Sequence, residues 1–200
     1  DFRIASGPDD VEESATGSIY TNSSDLELVF GGGIQTVGLR FTNVAIPRGA
    51  EIATAYIQFT ADEVQSEITD LTLQGQAADN ALPFETTSGA VSSRPRTLAL
   101  VAWSPQAWNT VGQAGLDQRT PELRNVIQEI VDRSGWTSGN ALAIIGTGTG
   151  HRTAEAYEGG ATKAALLHIE VAGPVSNTAP TANAGPDQAI LLPAQAALDG

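Results

Sequence analysis

Short runs of alternating apolar and polar residues, each cut off by turn residues, recur along this chain, and the fold must accommodate that period of two. In a strand successive side chains point to opposite faces, so each run reads as a half-buried strand with one face toward a core. Residues 24–30 place Leu26, Leu28 and Phe30 on one face and Asp25 and Glu27 on the other, before Gly31-Gly32-Gly33 breaks the run. Val37, Leu39 and Phe41 share a face within 36–41. After the turn Pro47-Arg48-Gly49-Ala50, residues 51–60 set Ala53, Ala55, Ile57 and Phe59 against Ile52, Thr54, Tyr56 and Gln58. Further strands are expected at 70–77, 98–103, 141–146 and 165–171. Seven or more short strands with turn signals between them predict an all-β sandwich or barrel.

One segment follows a helical period instead. From Thr120 to Val131 the apolar side chains fall at i, i+3, i+4, i+7 and i+8, which predicts a short α-helix over about 121–131. Thr120 suits the N-cap, Pro121 the first turn, Glu122 the positive end of the dipole, and Gly135 the exit. Its apolar stripe, with Leu123, Ile127 and Ile130, is expected to plug one end of the β-structure. Trp103, Trp108 and Trp136 flank the helix and are expected to pack around it rather than serve as sugar platforms.

The chain has no cysteine and no methionine, which excludes disulfides, thiolate zinc sites and cysteine nucleophiles together. Its net charge is −13, and Lys163 is the one lysine among ten basic residues. Such a surface repels nucleic acid and anionic lipid and attracts cations; plain solubility in a salty medium accounts for it equally well. No apolar run approaches the roughly 20 residues a membrane helix needs, so no membrane insertion is expected. The start at Asp1, without a signal-peptide pattern, reads as a processed or trimmed N-terminus.

Residues 24–30, 37–40, Ile46-Pro47-Arg48-Gly49-Ala50, the Ala53-Tyr56-Ile57-Gln58-Phe59 set and 146–158 together resemble the DNRLRE-type domain. The resemblance covers roughly residues 9–171 and implies a jelly-roll β-sandwich of bacterial secreted or surface proteins, some of whose members bind polysaccharide. The name-giving motif itself is absent, so no sugar-binding residue is carried across. Beyond the linker-like stretch 173–180, the sequence Asn177-Thr178-Ala179-Pro180-Thr181-Ala182-Asn183-Ala184-Gly185-Pro186-Asp187-Gln188 is similar to the opening of a PKD-type spacer domain. The expected organisation is a sandwich over 1–172, a linker over 173–180, and a PKD-like fragment or docking tail over 181–200. In that tail Ile190, Leu191 and Leu192 form a candidate assembly strand that pairs with the same chain or with a copy of it.

Chemistry-bearing residues are sparse. A serine triad needs a histidine, and the two present are unpromising: His168 lies in a strand out of phase with Leu167 and Ile169, and His151 in a loop with no nucleophile elbow. Acidic pairs suited to glycoside hydrolysis arise by abundance alone. The glycines of 146–150 read as a strand-to-strand loop, since the helix and lysine of a phosphate-binding loop are missing. What stands out is acid: Asp9, Asp10, Glu12 and Glu13 early, Asp25 and Glu27 on one strand face, and Glu155 and Glu158 late. Asp25, Glu27, Glu155 and Glu158 are the candidate ligands for Ca2+, which takes six to eight hard oxygens; a solvated acidic rim is the alternative. Arg152 and Tyr157 are candidate exposed contacts for a polysaccharide or cell-surface glycan. The expectation is a non-catalytic extracellular binding or adhesion module. The rivals are a self-assembling subunit of a surface fibre and an accessory domain of a secreted hydrolase.

Overall fold

The computed structural model describes residues 1–173, in which the chain forms an all-β sandwich. The assembly residues Ile190, Leu191 and Leu192, and the PKD-like stretch, lie outside the described residues. The first strands are β1 (Phe2–Arg3), β2 (Asp10–Ser14), β3 (Ile19–Tyr20), β4 (Asp25–Leu28) and β5 (Gln35–Phe41). They are followed by β6 (Ile52–Gln58), β7 (Asp70–Gln76), β8 (Arg96–Trp103) and the helix α1 (Arg124–Val131). The chain continues through β9 (Leu142–Thr149), β10 (Arg152–Glu155), the single turn α2 (Tyr157–Gly160) and β11 (Leu166–Val171).

A six-stranded sheet in the order β3-β2-β5-β9-β7-β8 forms one layer, and the sheets β1-β11-β6 and β10-β4 form the other. Every pairing is antiparallel. Between the layers lies the expected alternation: Val37, Leu39 and Phe41 of β5 meet Ala55, Ile57 and Phe59 and the buried Leu26 and Leu28. A second, smaller core sits on the other face of the six-stranded sheet, where Ala81, Phe84 and Val91 cover Val11, Ala143 and Ile145. Gly38 allows this contact, because a Cβ there would collide with the Phe84 ring. Among the described residues no helix is long and apolar enough to cross a membrane.

Three local expectations are corrected. Phe30 does not share the buried face of Leu26 and Leu28, because Val29 adopts φ 66 and inverts the alternation: Val29 is buried and Phe30 turns outward. A β-branched residue at positive φ is strained and is held there only by its surroundings. The glycines of 146–150 are not a free loop, since β9 runs through Gly146 to Thr149 against β7. A Cβ at Gly148 would collide with the Asp70 carbonyl, so glycine is there for strand contact. The single helix is joined by the one-turn α2, and it starts later than its capping residues suggest.

That late start has a clear cause. The edge of β6 would otherwise expose a row of unpaired amides, and residues 118–123 dock along it. The Phe59 amide donates to the Gln118 carbonyl, and the Ile57 amide to Thr120 Oγ1 at 3.0 Å. The Ala55 amide donates to Glu122 Oε1, while the Thr120 and Leu123 amides donate to the Ile57 and Ala55 carbonyls. Thr120 and Glu122 therefore serve the sheet edge, although Glu122 also accepts the Arg124 amide. The helix then bridges both layers: Gln128 accepts the Ile52 amide, and Glu129 accepts the Leu98 and Ala99 amides at the edge of β8. Its inner face buries Val126, Ile127, Ile130 and Val131, and Leu123 just before it is buried as well. Trp108 and Trp136 are fully buried nearby, with their indole N–H groups donating to the Asp117 and Ile46 carbonyls. Trp103 stacks on Phe59 with ring centroids 5.7 Å apart, so all three tryptophans are core residues, as expected.

Ile127→Ala is expected to cost about 2–5 kcal/mol in urea unfolding, because the side chain is fully buried in the main core. Thr120→Val strands the buried Ile57 amide and is expected to cost about 1–3 kcal/mol, whereas Thr120→Ser restores most of the loss. Equal stability of the Val and Ser variants would show that the hydroxyl contributes nothing to the β6 edge.

Candidate functional site

The acids converge through β10, a strand that the sequence presents as loop. On one side β10 pairs with β4, setting Glu155 opposite Asp25 and Thr153 opposite Glu27. On its other side residues 61–65 attach: Ala61 bridges Ala154, and the Asp62 amide donates to the Thr153 carbonyl at 2.9 Å. Gln65 locks the join, its Oε1 accepting the Thr153 amide and its Nε2 donating to Thr153 Oγ1. This register gathers carboxylate oxygens of Asp25, Asp62 and Glu63 within 4.8 Å of one another. Glu155 stands beside them, 5% exposed, against Gly159 and Gly160, and is paired with Lys163 Nζ at 2.6 Å. The Asp62 carboxyl is held above its ordinary range by burial and then by Glu155, Asp25 and Glu63.

Glu27 joins a different group. It lines a cleft of about 410 Å3 with Glu12, Ser14, Tyr20, Ser23, Gln35 and the glycine turn 31–33. Gln35 Nε2 donates to Glu27 Oε2 at 3.1 Å, and the Glu27 amide donates to Glu12 Oε1. The Gln35 Oε1 atom is buried with no hydrogen-bond partner. The Tyr20 side chain stands half exposed at this cleft. Its lining residues include no basic side chain.

Glu158 falls in a third place, against Gly7 and near Asp10, away from the oxygens of the triad. Asp10 is buried, takes the Tyr157 amide on Oδ2 at 2.8 Å, and leaves Oδ1 without a partner. Asp9 is neutralised by Arg40 at 2.6 Å. Glu13 accepts the Val91 and Ser92 amides and the Ser92 hydroxyl. Burial pushes the Glu13 carboxyl up, but these bonds outweigh it and hold the pKa below its ordinary value. The early acids are therefore buried in the protein and do not form a solvated rim.

The expected glycan contacts are redistributed as well. Arg152 is 2% exposed and does not face a ligand; its guanidinium donates to the Pro105, Gln106 and His151 carbonyls and to Thr69 Oγ1. Its place in β10 points it inward, beside Ala154 and opposite Leu28, where it pins the surrounding loops. Tyr157 is half-buried, packs on the core and opens α2. His168 is half-buried: it stacks on Tyr56 at 4.7 Å and bonds Asp1 and Glu170. Asp62, Glu63, Gln35 and Tyr20 have no sequence spacing that marks them, since they meet the other residues only through strand pairing. The chain matches no protein-family model, and no curated protein matches it.

Two carboxyls on β2 are set to titrate near neutrality. Asp10, ordinarily near 3.8, is raised to about 7 by burial first and then by Glu158 and Asp9, against the bond from the Tyr157 amide. Glu12, ordinarily near 4.5, is raised to about 7 by burial and then by Glu27, Asp25 and Asp10, against the bond from the Glu27 amide. A folded-state pKa above the unfolded one means the native state binds more protons, so stability rises as pH falls. The stabilisation is complete below the unfolded pKa near 4 and is lost as pH rises through about 7. In chelator-containing buffer, the unfolding free energy is expected to fall between pH 5 and pH 8 by about 1 kcal/mol or more. The decline should flatten in the double variant Asp10→Asn, Glu12→Gln; an unchanged slope would remove these two groups from the linkage.

Proposed function

We propose that this chain is a non-catalytic binding module of an extracellular bacterial protein, taking a hydroxyl-rich ligand, in the first place a polysaccharide, in the cleft lined by Glu12, Tyr20, Glu27 and Gln35. The observation that carries the reading is the lining of that cleft. Its volume of about 410 Å3 falls in the range of small-molecule sites. The unpartnered Gln35 Oε1 and the Glu12 and Glu27 carboxylates are acceptors to which sugar hydroxyls can donate. The half-exposed Tyr20 ring offers the apolar face on which a pyranose stacks. The absence of basic side chains from the lining argues against phosphate or sulfate ligands. The resemblance to the DNRLRE-type domain points the same way, toward a jelly-roll module of a secreted protein.

Calcium belongs to this proposal as a stabiliser at Asp25, Asp62 and Glu63, beside Glu155. A cation there ties the loop after β6 to β4 and relieves the mutual repulsion of four carboxylates. Backbone carbonyls and water complete the oxygen set that calcium requires.

On a glycan array, the protein is expected to bind neutral polysaccharides in millimolar calcium, with Tyr20→Ala weakening the signal at least tenfold. No binding to any glycan, with calcium or with chelator, would overturn the ligand reading. At a hundredfold excess over its Kd, calcium stabilises by about 2.7 kcal/mol, raising Tm by roughly 5–10 °C for a domain of this size. Asp62→Asn is expected to remove most of that rise; a Tm rise retained in full would place the stabilising cation elsewhere.

A further inference from the structure

We propose that the cleft is itself a cation site, in which Glu12, Glu27 and the side-chain oxygen of Gln35 hold a calcium-class divalent ion separate from the Asp25–Asp62–Glu63 triad. The proposal goes beyond the glycan reading, because it requires no saccharide.

The first observation is the unpartnered oxygen. Gln35 is 5% exposed, its Nε2 is spent on Glu27 Oε2, and its Oε1 finds no donor. Buried amide oxygens are almost always satisfied, so an orphan on a residue that lines the cleft with Glu12 and Glu27 calls for a donor or a cation from outside the chain. The second is charge: Glu12 and Glu27 meet in a cleft whose lining residues include no lysine, arginine or histidine. A cation supplies a partner for Gln35 Oε1 and the opposite charge that Glu12 and Glu27 lack among the lining residues.

The donor set selects the class of ion. It offers oxygen only, from two carboxylates, one amide and the hydroxyls of Ser14 and Ser23, with no imidazole or thiolate among the lining residues. Hard oxygen ligands suit calcium and magnesium rather than zinc or copper. The ligands come from β2, β4 and β5, joined by a glycine turn, a spread that fits the adaptable shell of calcium better than the rigid octahedron of magnesium. Gly31 is fitted to the site, because a methyl group there would collide with both Glu27 Oε2 and Gln35 Nε2.

The test is calorimetric titration of the chelator-treated full chain with calcium chloride alone, with far-UV circular dichroism to verify that each variant folds. Binding is expected with a Kd on the order of 10⁻⁴ to 10⁻³ M or tighter. In an Asp62→Asn background, which silences the triad, calcium binding should persist. In that background Glu27→Gln and Gln35→Leu should each weaken it at least tenfold, whereas Gln35→Glu, which adds a carboxylate, should retain or strengthen it. Loss of all calcium binding in Asp62→Asn, or equal affinity in the folded Glu27→Gln and Gln35→Leu variants, would overturn the cleft site. Either result leaves the glycan reading standing, since that rests on the array and on Tyr20→Ala.

Discussion

A sheet edge is a row of unpaired amides and carbonyls, and this sandwich depends on how two such edges are closed. β6 ends one layer and β8 ends the other. The segment from Gln118 to Val131 runs between them, first as an imitation strand along β6 and then as a helix with polar arms reaching both. Because the same segment buries Leu123, Val126, Ile127, Ile130 and Val131, closure of the edges and completion of the core are one event. Neither the helix nor the edge of β6 is satisfied without the other, which fixes the spacing of the two layers at that end.

The opposite end is organised by burying acid. β2 carries Asp10, Glu12 and Glu13 into the protein, and each meets a different solution. Glu13 accepts three hydrogen bonds and so anchors the loop that covers the second core. Asp10 and Glu12 receive one amide each and remain short of what a buried carboxylate needs. The Glu12 carboxylate lines the cleft, whereas Asp10 lies apart from it beside Glu158. The strained Val29 and the glycine turn belong to the same region, since they bring Gln35 back beside Glu27. The two proposed cation positions share β4, with Asp25 serving one and Glu27 the other two residues along the same face.

What the sequence determined by itself was whatever depends on near neighbours along the chain. The period of two in 36–41 and 54–59 specified strands and their buried faces, although an irregularity in the pairing with β11 buries Ile52 and exposes Ala53. The 3.6 period specified a helix burying Ile127 and Ile130, with Leu123 just before it. Both periodicities are properties of local backbone geometry, so they survive without knowledge of the partner. The tertiary structure decided everything that depends on partners. Thr120 and Glu122 carry the marks of a helix start, yet the unpaired edge of β6 offered them better bonds. Arg152 and Glu155, charged residues in an apparent loop, became a buried strand because β4 and residues 61–65 pair on either side of it. That pairing alone put Asp25 beside Asp62 and Glu63, and the turn at Gly31 alone put Glu27 beside Gln35. Strand register joins residues far apart in sequence through backbone hydrogen bonds that every residue type makes, and so it leaves no signature in the side chains that it brings together.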